Sequence, residues 1–164
     1  MASGPFARRR RGGLDVTLTE PEIMLLRSVA EQMAQVLEAP EDIPYTGRLF
    51  PPAYTDDDEA QAEYARLMTA DIADGKRRAL ASVRATIERG AKKRDAWRVT
   101  LSDDEAQDWL AVLNDARLTI GTRLDVTEET YERETDPAEP EAAALEVFRY
   151  LGYLEEWLVE TLMG

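Results

Sequence analysis

Few types of side chain are available for chemistry in this chain, because its 164 residues include no cysteine and no histidine. Thiolate nucleophiles, disulfides, zinc sites of the usual nitrogen and sulfur type, and histidine acid–base catalysis are therefore excluded. Carboxylates, lysine, tyrosine and arginine remain as proton-transfer groups. The sequence also has no phosphate-binding glycine loop and no nucleophile elbow. We expect a protein that is not an enzyme, with no catalytic residue, no cofactor and no metal.

Two acidic runs are the candidates for a cation site. They are Asp56 to Glu59 and Asp103 to Glu105, and their oxygens are of the type that Mg²⁺ and Ca²⁺ prefer. Neither run has the loop spacing or the turn glycine of an EF-hand. Both stand where a helix is predicted to begin, and the helix dipole favours negative charge there without any metal. We therefore interpret both runs as helix starts.

Basic residues form two blocks in a chain whose formal net charge is −13. Arg8 to Arg11 make the first block, and the second lies within Lys76 to Arg94, with Glu88 as the one acid in either span. The blocks hold 12 of the 20 basic residues, which leaves 8 basic against 32 acidic residues elsewhere. Such blocks can contact an acidic partner or fold back onto the protein's own acidic helices. The predicted partner-binding residues are Arg8, Arg9, Arg10, Arg11, Arg77, Arg78 and Arg84.

Two short patterns suggest more specific partners. A break at Gly75 followed by a basic helix over 76–89 is compatible with a DNA-binding helix-turn-helix. Asp71 and Asp74 oppose that interpretation, because they would face phosphate beside the proposed turn. Residues 51–54 have the Pro-Pro-x-Tyr form that WW domains bind, but we interpret them as a packed loop.

A small antiparallel sheet is predicted from period-two alternation of apolar and polar residues. Its short strands are expected near residues 6–10, 14–18 and 97–101. Gly12-Gly13 is a turn signal that would join the first two strands as a hairpin. The pattern Val-Thr-Leu-Thr/Ser-x-x-Glu occurs at residues 16–22 and again at 99–105. Each copy reads as a strand followed by a helix capping box, so the two strands are expected to lie side by side.

About five helices complete a mainly α fold around one core, and residues 1–164 are expected to form a single domain. Helices are predicted after Thr19, on each side of Gly75, after Ser102, and from about Glu141 to Met163. In the helix before Gly75, the apolar residues predicted to be buried are Tyr64, Leu67, Met68 and Ile72. No stretch is long and apolar enough to span a membrane, and the N-terminus lacks the apolar core of a signal peptide. We therefore expect a cytoplasmic protein.

Four segments of the chain resemble one known family. They are Leu49-Phe50-Pro51-Pro52-Ala53-Tyr54, the run from Trp109 to Leu118, Ile120-Gly121-Thr122-Arg123-Leu124, and the aromatic-rich end from Phe148 to Trp157. On these residues the chain resembles the actinobacterial family named for the oxidative stress transcription regulator AosR, formerly a family of unknown function. The resemblance covers nearly the whole chain. It implies a mainly helical regulator of the oxidative stress response, with no enzymatic activity and no cofactor.

The resemblance and the charge distribution together give a functional hypothesis. The chain is expected to act on transcription through contact with a protein such as a sigma factor or RNA polymerase, because its acidic body repels duplex DNA. Two alternatives stay open: direct DNA binding through the basic helix 76–89, and a non-transcriptional adaptor or scaffold. The last helix is expected to dock on the first helix, with the seam of a homodimer as the alternative. Without cysteine, the oxidant signal must be sensed in a partner, in expression level, or by oxidation of methionine; the methionines concerned are Met24, Met33, Met68 and Met163.

Overall fold

A computed structural model of the chain describes residues 4–38, 59–126, 136 and 138–164. These described residues form four strands and four helices. The strands are β1 (Phe6–Arg8), β2 (Leu14–Leu18), β3 (Ala91–Lys93) and β4 (Ala96–Leu101). The helices are α1 (Glu20–Glu38), α2 (Glu59–Arg89), α3 (Asp103–Arg123) and α4 (Ala142–Met163). The fold is mainly helical with a small sheet, as predicted, but the described residues contain four helices rather than about five.

The strands form one antiparallel sheet in the order β1-β2-β4-β3. The predicted hairpin of β1 and β2 is present, and its turn contains Gly12 and Gly13 with φ angles of 95° and 78°. Such angles suit glycine, because it has no Cβ to clash with the backbone. The predicted pairing of the two Val-Thr-Leu strands is also confirmed, since Val16 lies opposite Val99.

Two features of the sheet differ from the prediction. The first strand was expected to reach residue 10, but β1 ends at Arg8, because the Arg9 N–H donates to the Gly13 carbonyl at 3.1 Å and closes the turn. Arg10 and Arg11 therefore lie in the turn rather than in an edge strand. The structure also has a fourth strand, β3, that was not predicted. Its sequence, Ala-Lys-Lys, has no apolar alternation, so only pairing with β4 defines it.

Both predicted capping boxes are present and direct a helix away from the sheet. The Thr19 N–H donates to Glu22 Oε1 at 2.9 Å, and the Glu22 N–H donates to Thr19 Oγ1 at 3.3 Å. Ser102 and Glu105 make the same two bonds at 2.9 and 3.1 Å. These bonds satisfy N–H groups that have no partner within the helix. The two strand-and-helix units thus begin their helices by the same local chemistry.

The core lies between one face of the sheet and the helices. Leu14, Val16 and Leu18 of β2 are buried on that face, beside Trp97, Val99 and Leu101 of β4. Below them, the buried Trp109 donates from Nε1 to Thr86 Oγ1 at 2.8 Å, which supplies the hydrogen bond that a buried indole N–H requires. The opposite face of the sheet carries the polar residues of the alternation, and these are exposed or half-buried.

The helices predicted on each side of Gly75 are one continuous helix, α2, of 31 residues. Glycine inside a helix costs only about 1 kcal/mol relative to alanine, and burial of Leu80, Val83 and Ile87 outweighs that cost. The prediction for the first half of α2 was wrong in a second respect. Tyr64 and Leu67 were expected to be buried, but each is 59% exposed. Helical periodicity identifies an apolar face without showing whether another element covers it.

Several predicted features lie outside the described residues. They are the Pro-rich loop of 39–55 with its Pro-Pro-x-Tyr pattern, the acids Asp56 to Asp58, and most of the acidic linker of 125–140. Across the part of the chain that the structure describes, none of the helices combines the length and apolar character needed to cross a membrane.

Candidate interaction surface

The open face of the sheet holds a shallow groove of about 410 Å³ with a basic lining. Its charged and hydroxyl-bearing walls include Arg9, Asp15, Arg89, Lys93, Arg98 and Thr100. Four of these residues are basic and one is acidic. The strand period explains the arrangement: Arg98 and Thr100 alternate with the buried Trp97, Val99 and Leu101 and so point away from the core.

One end of the groove is held by a hydrogen-bonded cluster. Asp15 Oδ1 accepts from Thr100 Oγ1 at 2.8 Å and from Arg9 Nη1 at 2.9 Å. The hydrogen bond from Thr100 and the charge of Arg9 keep the pKa of Asp15 below its ordinary value, although partial burial acts in the other direction. Arg9 is therefore oriented over the sheet by an ionised carboxylate, with its remaining N–H groups still available.

The edge of the groove is held by the ion pair of Arg89 and Glu105. Arg89 donates to both carboxylate oxygens, at 2.8 and 2.9 Å, and also to the Thr100 carbonyl at 2.6 Å. The bond from Arg89 lowers the pKa of Glu105 to about 2, assisted by the Ser102 N–H and opposed by burial. The same bond raises the pKa of Arg89. The pair links the end of α2, strand β4 and the start of α3.

The structure separates the predicted partner-binding residues into two regions. Arg8 to Arg11 lie at the end of β1 and in the turn that follows it. Arg8 forms an ion pair with Asp103 at 2.6 Å, and Arg9 forms one with Asp15. Arg10 and Arg11 are exposed, and no ion pair or hydrogen bond joins their side chains to another described residue.

The other predicted residues lie on α2, where two of them contact α1. Arg77 donates from Nε and Nη2 to the Leu37 carbonyl, at 3.0 and 2.6 Å, near the C-terminus of α1. Arg84 forms an ion pair with Glu31 of α1 at 3.0 Å. Arg78 is exposed and makes no such contact with another described residue. Much of the second basic block therefore folds back onto the protein's own acidic groups, which was one of the two alternatives drawn from the sequence.

Three basic groove residues were not among the predicted partner-binding residues: Arg89, Lys93 and Arg98. The sequence contains a pattern that could have identified Arg98, because the alternation in 96–101 places it on the face opposite Trp97 and Val99. Lys93 belongs to the second basic block, but its position depends on β3, which the sequence does not reveal. In the run from Asp103 to Glu105, Asp103 forms an ion pair with Arg8 and Glu105 forms one with Arg89. Among the described residues, no group of three or more metal-binding side chains comes together.

A second cavity, of about 270 Å³, lies between α1 and α3. Apolar and amide side chains make up most of its lining, together with Thr119 and Arg123. Its described walls hold no carboxylate, so they offer no pair of acids for general acid–base chemistry. The groove on the sheet face, by contrast, is lined by four basic side chains and one carboxylate, so we take that face as the candidate functional surface.

Comparison with known proteins identifies one family model and several named relatives. A family model described as a domain of unknown function, DUF2017, matches residues 3–162. A Mycobacterium leprae (strain TN) protein named as an oxidative stress regulator, AosR, is 31% identical over 140 residues, which are 77% of this chain and 61% of that protein. The oxidative stress regulators AosR of Mycobacterium bovis and Mycobacterium tuberculosis (strain H37Rv) are each 37% identical over 67 residues, or 41% of this chain and 30% of those proteins. The chain thus spans less than two thirds of these relatives. No solved structure matches it.

Proposed function

The chain belongs to the DUF2017 family, and from its mycobacterial relatives we propose that it regulates the oxidative stress response rather than catalysing a reaction. The observation that carries this proposal is 31% identity, over 77% of the chain, with a relative named as an oxidative stress regulator. These relatives belong to the AosR family, which is the family that four segments of the sequence were found to resemble.

The mechanism we propose is contact with a protein of the transcription machinery, such as a sigma factor or RNA polymerase. The charge distribution supports protein contact over capture of duplex DNA, since the chain has 33 acidic and 20 basic residues and a long polyanion is repelled by the acidic body. Exposed arginines without a partner among the described residues are the first contact candidates. They are Arg10, Arg11 and Arg78.

Direct DNA binding through residues 76–89 has weaker support from the packing. Helix α2 continues through Gly75, so the turn that a helix-turn-helix requires is replaced by helix. Lys76 forms a half-buried ion pair with Asp115 at 2.8 Å, and Arg77 is bonded to α1. Side chains engaged in this way do not reach phosphate without breaking intramolecular contacts.

Oxidant sensing through a thiol is excluded for this sequence, which has no cysteine. We propose that the signal reaches the protein through its partner or its expression level. Methionine oxidation is the remaining route within the chain, and it would begin at Met163 and Met24, which are 84% and 60% exposed. Met33 is buried in the core and should react last.

The regulatory role is tested by deleting the gene from its host and comparing transcript profiles before and after a peroxide challenge. We expect the deletion to change the induction of oxidative stress transcripts and the wild-type gene to restore it. An unchanged peroxide response in the deletion strain would contradict the proposed function. The purified protein offers a separate check on DNA binding, because such binding would weaken steeply as salt is raised.

A further inference from the structure

The charges of this protein are distributed unevenly between the two sheet hairpins and the rest of the chain. The two hairpins with their flanking residues, 6–18 and 89–101, carry nine basic and two acidic residues. The rest of the chain carries 11 basic and 31 acidic residues. The sheet is therefore a strongly basic element on a strongly acidic protein, and its basic residues come from segments that are distant in sequence.

The pairing register places Lys93 and Arg98 on the open face, whereas Arg8 and Lys92 lie opposite the inward-facing Leu14 and Trp97. Leu14 pairs with Leu101 and Leu18 pairs with Trp97, so the β1–β2 turn and the β3–β4 turn lie at opposite ends of the sheet. Arginines flank the first turn, and Lys93 and Arg94 flank the second. Arg98 lies between them in β4. A basic track thus crosses the outer face from one turn to the other.

Two residues of the track, Arg98 and Lys93, have N–H groups available to bind a ligand. Arg98 is exposed and donates to Thr17 Oγ1 at 3.2 Å, which uses one of its five N–H groups. Lys93 is exposed, and its ammonium forms no ion pair or hydrogen bond with another described residue. A guanidinium and an ammonium at the wall of one groove favour carboxylates, because arginine can bind both oxygens of a carboxylate at once.

We propose that this sheet face binds a carboxylate-rich segment of a protein partner. The proposal rests on the proposed regulatory function and names the surface and the chemistry of its contact. Charge complementarity favours such a segment: the groove of about 410 Å³ accommodates a few side chains, and a short segment keeps its negative charge away from the acidic helices. Nucleic acid fits less well, because the outward strand residues Asp15, Thr17, Arg98 and Thr100 provide no aromatic ring for base stacking.

The test uses the full chain and a fluorescein-labelled peptide of eight glutamates, read by fluorescence anisotropy at low salt. The surface variant is Lys93→Glu with Arg98→Glu, because both side chains are exposed and neither holds the core. The matched control is Arg27→Glu with Arg66→Glu, which changes net charge equally at exposed positions on α1 and α2. A peptide of eight glutamines and a single-stranded oligonucleotide of equal charge serve as competitors, and sedimentation reports self-association.

We expect saturable binding of the glutamate peptide, a loss of about tenfold in affinity in the surface variant, and wild-type affinity in the control. Absence of saturable binding, or equal losses in both variants, would overturn the proposal. Tighter binding of the oligonucleotide would assign the face to nucleic acid, and oligomers lost only in the surface variant would assign it to a second copy; either result overturns it. Failure here is distinct from failure of the regulatory function, which the deletion strain tests independently.

Discussion

Arg77 and Arg78 are neighbours on α2 that differ in what they contact. Arg77 donates two hydrogen bonds to the Leu37 carbonyl near the end of α1, whereas Arg78 is exposed. Carbonyls in the last turn of a helix have no partner within that helix, so Arg77 supplies a structural bond. The sequence placed both residues in one predicted binding set, because charge alone does not distinguish these situations.

At the residue scale, replacing Arg77 should therefore reduce stability where replacing Arg78 should not. Arg77→Ala is expected to lower the free energy of unfolding by about 1–2 kcal/mol, since bonds from a charged donor are lost. Arg78→Ala is the matched control and should leave the unfolding free energy within about 0.5 kcal/mol of the wild type. Urea unfolding followed by far-ultraviolet circular dichroism measures both. Equal effects would contradict the structural assignment of Arg77.

A second prediction at the residue scale concerns Glu105 and the dependence of stability on pH. Its pKa is about 2 in the folded protein and ordinarily 4.5, so its contribution to stability is present above pH 4.5 and is lost as pH falls towards 2. Glu105→Gln keeps an acceptor for the capping box but loses the charge that pairs with Arg89. We expect a cost of about 1 kcal/mol at neutral pH, with a smaller difference from the wild type as pH drops below 4.5.

The control for Glu105 is Asp104→Asn, which removes the same charge from the same helical turn. Asp104 is exposed, so its replacement loses only the interaction with the helix dipole. Unfolding free energies of both variants should be compared with the wild type near pH 7 and near pH 3. If the two variants show the same pH dependence, the Arg89 pair does not stabilise the fold.

At the scale of elements, the strands and caps follow from the sequence, but the continuity of α2 does not. Alternation and the Thr19 and Ser102 boxes are local signals, and both appear in the structure as predicted. Gly75 is also a local signal, and it predicts a break in the helix. The helix continues through Gly75 because Leu80 and Val83 anchor the second half of α2 in the core. β3 carries no local signal, and β4 alone defines it. The sheet groove was missed for the same reason, since its residues converge only through pairing.

The continuity of α2 can be tested by Gly75→Ala. A Cβ at this position would lie 4.0 Å from Arg78 Nη2, an ordinary van der Waals contact that requires no rearrangement. We expect the free energy of unfolding to rise by about 0.5–1 kcal/mol, because alanine has the higher helix propensity. Gly121→Ala is the contrasting variant: its Cβ would approach the Phe148 ring at 2.9 Å and should destabilise the fold. Destabilisation by Gly75→Ala would indicate a break in the helix.

At the scale of the whole molecule, the segregation of charge links the fold to the proposed function. Pairing of the two hairpins brings several basic residues to one open face, while the chain outside the hairpins carries 31 acidic and 11 basic residues. Such a molecule presents a local basic surface for an acidic partner and repels extended polyanions. The relatives named as oxidative stress regulators are the basis of the proposed process, and the basic face is the contact surface that we propose.

The most direct test of this account is capture of the tagged chain from a nuclease-treated native lysate of peroxide-challenged host cells, with mass spectrometry of the retained proteins. We expect RNA polymerase or a sigma factor to be retained after nuclease treatment, because the contact is between proteins. Loss of those proteins on nuclease treatment would show that DNA mediates the association. Retention of neither, or of protease components in their place, would contradict regulation through contact with the transcription machinery.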